Sequence, residues 1–267
     1  MNFSNKRILV IGASGGIGQE VSRQLAAQGA HLILCGRRLQ ELQDLVNEIR
    51  MAGGQAEAIA GDLAQNAPGI AEQAIALSGE LDVLVNCAGM QTFGFAQQEI
   101  AEDTEKVFAA NVVGPIQLIN SILPHMLRRK QGRIVNVGSI FGSIGFPCFS
   151  SYSATKFALR GYSEALRREL VGTGIRVHYV APRYTRTSFN TELVKQMAEA
   201  LHMKQDLPAH VARQIIATIA HDHAIRYLGW PEKLFVRINA LLPNVVDSAL
   251  GKQVQQMSPF ARTHAKR

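Results

Sequence analysis

Six short apolar runs rich in β-branched residues recur along the chain, each followed by a segment with helical periodicity. They are "RILVIG" (7–12), "HLILCG" (31–36), "AEAIAG" (56–61), "LDVLVN" (81–86), "RIVNVGS" (133–139) and "IRVHYVAP" (175–182). Between the second and third, Leu39, Leu42, Leu45, Val46 and Ile49 fall at the spacing of one helix face. A strand that is apolar on both of its faces needs cover on both, and helices between such strands supply it. Right-handed crossovers then predict an α/β fold, a doubly wound parallel sheet with ligands at the carboxyl ends of the strands.

The first strand runs into "GASGGIG", which places Gly12, Gly16 and Gly18 between a strand and a helix. Glycines there permit a tight turn and let backbone approach a pyrophosphate at the helix N-terminus. The spacing, G-x-x-x-G-x-G, differs from the G-x-G-x-x-G of other dinucleotide folds. At the end of the second strand, a site for NAD would carry an acid for the ribose 2′-hydroxyl. This chain has "CGRRLQEL", with Gly36 in the acid's place and then Arg37 and Arg38. Two arginines at a helix start are mildly unfavourable on their own, and they can pair with a 2′-phosphate. The expected cofactor is NADP(H).

Further along, "YSATK" sets Tyr152 four residues before Lys156 at the start of a long helical pattern. Residues i and i+4 share a helix face, so phenol and ammonium can act together. Alone, such a pair is as compatible with a plain surface contact. The motifs taken in order make the difference. "GASGGIG" at 12–18, "GDL" at 61–63, "NCAG" at 86–89, Asn111 in "AANVVG", Ser139 after "RIVNVG" and "YSATK" at 152–156 together resemble the short-chain dehydrogenase/reductase family. The resemblance covers roughly the first 230 residues and points to an NADP(H)-preferring carbonyl reductase type.

That resemblance implies a seven-stranded sheet of the Rossmann type. Gly12, Ser14, Gly16, Ile17 and Gly18 would hold the pyrophosphate, and Asp62 and Leu63 would lie near the adenine. Asn86, Ala88 and Gly89 would line the cofactor cleft, with Pro182 and Thr187 at its nicotinamide end. Ser139, Tyr152 and Lys156 would be catalytic, with Asn111 linking Lys156 to solvent. A free tyrosine has a pKa of about 10, and Lys156, together with the oxidised nicotinamide when it is bound, is expected to lower it. The chain departs from the family pattern at three places: Ile11 and Cys87 stand where threonine and asparagine are frequent, and Arg183 follows Pro182 where glycine is common. A glycine position with positive φ would be strained there.

For the substrate, Ser139 and Tyr152 are expected to meet the reacting oxygen, and Phe141, Phe146 and Phe189, with Phe93, Phe95 and Phe149, to line an apolar pocket. Segment 187–204, with Phe189, Leu193, Met197 and Leu201 at helical spacing, is where relatives place a lid. A small hydrophobic carbonyl, alcohol or acyl chain fits best. Two alternatives stay open: a reductase of 3-oxoacyl groups on an acidic carrier protein docking at "LRRK" (127–130) or "LRRE" (166–169), and an NADP(H)-binding sensor without turnover. A homodimer or homotetramer is expected by resemblance.

Charge separates the tail from the rest. Residues 224–267 hold seven basic side chains and two acidic ones, +5 of the formal +7. No nucleic-acid motif accompanies them. We divide the chain into a dinucleotide-binding and catalytic part, 1–230, and a basic amphipathic extension of the same domain, 231–267. In the extension Leu234, Ile238, Leu241 and Leu242 form an apolar stripe that either packs on the protein or lies on an anionic membrane surface. The three cysteines are scattered, which speaks for a reducing compartment. No run appears long and apolar enough to span a bilayer, so the expected location is cytoplasmic. His221 and His223 lack a third ligand at metal-binding spacing, and no metal is expected.

Overall fold

The computed structural model describes residues 1–262. Seven strands, β1 (Arg7–Ile11), β2 (His31–Gly36), β3 (Gln55–Ala60), β4 (Val83–Asn86), β5 (Gly132–Val137), β6 (Ile175–Ala181) and β7 (Ile225–Tyr227), form one parallel sheet in the order β3-β2-β1-β4-β5-β6-β7. The intervening helices are α1 (Gly16–Ala26), α2 (Leu39–Met51), α3 (Leu63–Ser78), α4 (Ala101–Phe108), α5 (Gly114–Arg129), α6 (Ser150–Glu169), α7 (Glu192–Ala200) and α8 (Pro208–Ala220). Two more, α9 (Glu232–Leu241) and α10 (Pro243–Arg262), follow β7. Only β7 escaped the reading of the apolar runs, because three residues carry no measurable period.

Alternation along β1 shows why both sheet faces are covered. Ile8 and Val10 point into a layer with Val21, Leu25, Leu42 and Ile215, from α1, α2 and α8. Leu9 and Ile11 point the other way, among Ile70, Leu118, Ile122 and Leu166 from α3, α5 and α6. Strand order reverses direction at β1, which pairs with β2 on one side and β4 on the other. The crevice at this switch is where ligands of such sheets bind.

Two expectations change here. Ala101–Arg129 is one continuous helical stretch that by length and composition could cross a membrane, contrary to the sequence reading. Its Leu118, Ile119, Ile122 and Met126 are nevertheless fully buried in the sheet-facing core. The stripe expected on the tail splits, with Ile238 inward and its three leucines outward. Leu234, Leu241 and Leu242 are exposed, and α9 meets the rest of the chain through Val236, Ile238 and Asn239, whose Nδ2 donates to the Ser143 carbonyl at 3.0 Å. Of the basic tail residues, Lys266 and Arg267 lie outside the described residues, and so does the Arg262 side chain.

Candidate active site

The loop between β1 and α1 fits a dinucleotide. Gly12 has φ +74°, and a Cβ on it would sit 2.8 Å from the Ala88 nitrogen, so the β1 and β4 loops approach as closely as backbone allows. A Cβ on Gly16 would meet Thr187 at 2.7 Å. The first turn of α1 has no side-chain cap. Its free N–H groups therefore face the crevice as an anion site.

At the carboxyl end of β2, Gly36 lets Ser14 lie close, with its Oγ 3.1 Å from where a Cβ would stand. Arg38 donates to the Ser14 carbonyl at 2.7 Å and pairs with Glu41 at 2.8 Å, which holds its guanidinium over the glycine turn. Arg37 beside it is exposed and makes no ion pair among the described residues. Asp62 caps α3, accepting from the Ala64 nitrogen at 2.9 Å.

Two expected cleft residues do not face the cleft. Asn86 is 1% exposed, donates to the Asn136 side chain at 3.5 Å and belongs to a buried chain that continues from Asn136 to Ser163. Leu63 points into the core beneath the sheet. In both cases the period-two pleat sends the last side chain of a strand, or the first of a helix, inward, and only the following backbone reaches the crevice. Cys87, Ala88 and Gly89 do line it.

Ser139, Tyr152 and Lys156 converge. Ser139 caps a single 3-10 turn, accepting from the Phe141 nitrogen at 3.1 Å, and hydrogen-bonds Tyr152. Lys156 Nζ lies 5.6 Å from the Tyr152 ring centroid and donates to the Val137 carbonyl at 3.5 Å. Both side chains are buried, Tyr152 at 7% and Lys156 at 3% exposure. Burial pushes the phenol up to about 12 despite the Ser139 hydrogen bond, and pushes the ammonium down to about 8. Without the cofactor, loss of water around the phenolate outweighs the Ser139 hydrogen bond, and the shift of Tyr152 is upward. The phenol holds its proton throughout the neutral range.

Asn111 sits in a π-turn, Ala109–Val113, inserted between α4 and α5. Such turns break the regular helix ladder. Its amide is fully used: Oδ1 accepts from the Met90 nitrogen at 2.7 Å, and Nδ2 donates to the Met90 carbonyl at 2.8 Å and to Thr155 at 2.9 Å. Thr155 in turn donates to the Tyr152 carbonyl at 2.7 Å. Asn111 therefore ties the β4 loop to the turn of α6 that carries Tyr152 and Lys156.

The crevice continues into an apolar cavity between the β5 loop, α7 and the α9–α10 corner, about 460 Å³ for the two together. Phe141, Phe149 and Phe189 lie with ring centroids 6.3, 6.3 and 6.2 Å from that of Tyr152, and Phe146 stacks on Phe141 at 4.5 Å. Phe93 and Phe95 back this cluster, as do Leu193, Met197 and Leu201 of the expected lid. The extension joins it as well. Met257 and Ala261 of α10 are fully buried there, and Val246 and Leu250 line the cavity.

Sequence reasoning missed three groups at this site. Tyr179, on β6, places its hydroxyl 3.4 Å from both the nitrogen and the carbonyl of Ser139. The space it fills opens because residue 138 is glycine, where a Cβ would overlap the ring. The α10 contacts were invisible because nothing in the stripe of a helix names its partner. The third is Arg183. Its backbone is not left-handed, so the anticipated strain is absent. Its guanidinium instead clamps Asp206 through two bonds of 3.1 and 2.8 Å and reaches Glu232 at 3.2 Å. We expect Arg183→Met to strand two carboxylates and cost about 2 kcal/mol. Thermal melts should fall by roughly 5 °C; an unchanged melting temperature would show that the clamp contributes nothing.

The basic segments suggested for carrier docking lie elsewhere. Arg129 pairs with Asp82 and Glu80, below the amino end of β4. Arg168 pairs with Glu164, four turns of α6 from Tyr152 and so about 24 Å away. His221 and His223 are exposed just after α8.

With this geometry in hand, the likeness to known proteins can be stated. The model of the short chain dehydrogenase family matches residues 6–198. An uncharacterized oxidoreductase of Thermotoga maritima is 35% identical over 215 residues, covering 77% of this chain and 86% of that one. A short-chain dehydrogenase/reductase of Burkholderia phymatum in complex with NAD superposes with a TM-score of 0.84 at 22% identity, over 92% of this chain and 96% of that chain. A Beutenbergia cavernae structure with bound NADP at low occupancy gives 0.77 at 28% identity, over 85% and 96%. The match spans both the glycine turn and the Ser139–Tyr152–Lys156 cluster, and the chain belongs to the short-chain dehydrogenase family.

Proposed function

We propose that the protein is an NADP(H)-dependent oxidoreductase acting on the carbonyl or alcohol of an apolar small molecule. The observation that carries this reading is the convergence of Ser139, Tyr152 and Lys156 where the crevice at the glycine turn opens into the apolar cavity. The first-turn N–H groups of α1 would hold the pyrophosphate, Arg37 and Arg38 the 2′-phosphate, and Lys156, Ala88, Gly89, Pro182 and Thr187 the nicotinamide end. The bound cofactor supplies the hydride. Tyr152, protonated at neutral pH, donates its proton to the substrate oxygen. The Ser139 hydroxyl hydrogen-bonds the same oxygen as charge develops on it. Lys156 stabilises the phenolate left behind, and the opened helix at Asn111 gives a route for the proton that restores it. The phenylalanine cluster keeps water away from these groups.

A carrier-bound acyl substrate draws no support from Arg129 or Arg168, both at the far end of the sheet and already paired. A sensor without turnover would have no need for a buried, proton-bearing phenol at the mouth of an apolar cavity.

The test is oxidation of NADPH against NADH over a panel of hydrophobic ketones and aldehydes. NADPH should be preferred. Arg37→Asp should shift the ratio of kcat/KM values towards NADH by about 100-fold, the scale of one lost charge-assisted contact and one new repulsion. An unchanged ratio would place recognition of the 2′-phosphate elsewhere.

A further inference from the structure

The residues that line the cavity and have exposed side chains fall in two places, Phe189 near the cofactor crevice and, at the far end, Lys204, Phe235, Val245, Ala249 and Gln253. The far end lies where α9 and α10 meet the loop after α7, and its rim is unusual for a surface exposed to water. Trp230, Leu234, Phe235, Leu241, Leu242 and Val245 are all exposed, from 38% at Leu234 to 80% at Leu241. Single exposed apolar residues need no explanation, but a contiguous group does.

These residues form rows. Leu234 and Leu241 are seven apart on α9 and share one row along its outer side, Phe235 follows Leu234 beside the cavity lining, and Leu242 stands just past the end of the helix. Lys233 and Arg237 make the next row, four apart and exposed. Lys233 Nζ stands 5.4 Å from the Trp230 ring centroid. The helix's one acid, Glu232, pairs with Arg183, which it shares with Asp206. An apolar band edged by cations with an indole at its margin is the pattern of a helix lying in a bilayer interface.

We infer that this rim docks on an anionic lipid surface, and that the far end admits an apolar carbonyl compound from the lipid into the cavity. The second half rests on the oxidoreductase reading above; the first does not. A second copy of the chain is a poorer occupant. A symmetric contact through this face would cover the far end of the cavity and set the Lys233–Arg237 rows of two copies against each other.

Trp230 is the only tryptophan in the chain and reports on the rim without cofactor or substrate. The full-length protein should co-sediment with phosphatidylcholine vesicles that contain phosphatidylglycerol, and its emission should move to shorter wavelength. The double variant Leu241→Asp/Leu242→Asp, which replaces no cavity-lining residue, should partition at least about tenfold less, given what each buried methylene contributes. Both proteins should oxidise NADPH equally with a water-soluble ketone, whereas a long-chain ketone dissolved in the vesicles should turn over about tenfold more slowly with the variant. Equal vesicle binding by the two proteins, or an unmoved tryptophan spectrum, overturns the docking. A spectral shift that grows with protein concentration in the absence of lipid shows a second copy on the rim and overturns it too. If the wild type oxidised no NADPH with any of the ketones or aldehydes, the oxidoreductase reading would fall while the vesicle result stood.

Discussion

Tyr152→Phe should reduce NADPH-dependent carbonyl turnover by about 1000-fold, within the range that a positioned general acid contributes. The substitution removes one oxygen and leaves the ring where the phenylalanine cluster packs against it. Cofactor affinity, read by fluorescence titration, should stay within about twofold, because the contacts assigned to the pyrophosphate and 2′-phosphate come from other elements. Since burial holds the phenol at about 12, loss of the Tyr152 proton does not limit reduction in the neutral range. The limb of kcat/KM on the alkaline side should instead follow Lys156 and begin near pH 8. A variant retaining a tenth of wild-type turnover would remove Tyr152 from the chemistry.

Lys156→Met should abolish turnover and yet make the protein more stable at neutral pH. Burial lowers the ammonium from 10.5 to about 8, which corresponds to a handicap on the order of 3 kcal/mol when the group is charged in both states. The sign follows from proton binding. Between about pH 8 and 10.5 the unfolded chain holds more protons at this site than the folded one, so wild-type stability gains on the variant as pH rises. The handicap is complete below pH 8 and gone above 10.5. Comparing the two proteins at each pH cancels Cys35 and Tyr162, whose own shifts fall in the alkaline range, and burial holds Cys87, which interacts with Lys156, as a neutral thiol at both test values. Urea unfolding at pH 7 and pH 10 should show the gap narrowing; a variant less stable than wild type at pH 7 would contradict the burial argument. Methionine matches the length of the lysine stem and brings no charge, so a stability gain of this kind would mark Lys156 as retained for function rather than for folding.

Several features were legible in the amino-acid order because each is local. The six long strands declare themselves by continuous apolar runs, the nucleotide turn by its glycines, and the Tyr152–Lys156 pair by a four-residue spacing on one helix. Steric and periodic rules acting within one element are enough to place them.

Other features depend on what lies across the molecule. Periodicity showed that α9 has an apolar stripe, but only packing showed that Val236 and Asn239 face the protein while Leu234 and Leu241 face out. Arg183 looked like a misfit for a glycine until Asp206 and Glu232, distant in the chain, closed on it. The upward shift of Tyr152 in the cofactor-free chain is not legible from spacing, because a helical neighbour can be read that way whereas exclusion of water by Phe141, Phe149 and Phe189 cannot. Local order sets which groups are available; desolvation and partner choice are properties of the assembled fold, since they sum over residues that meet only when the chain has closed on itself.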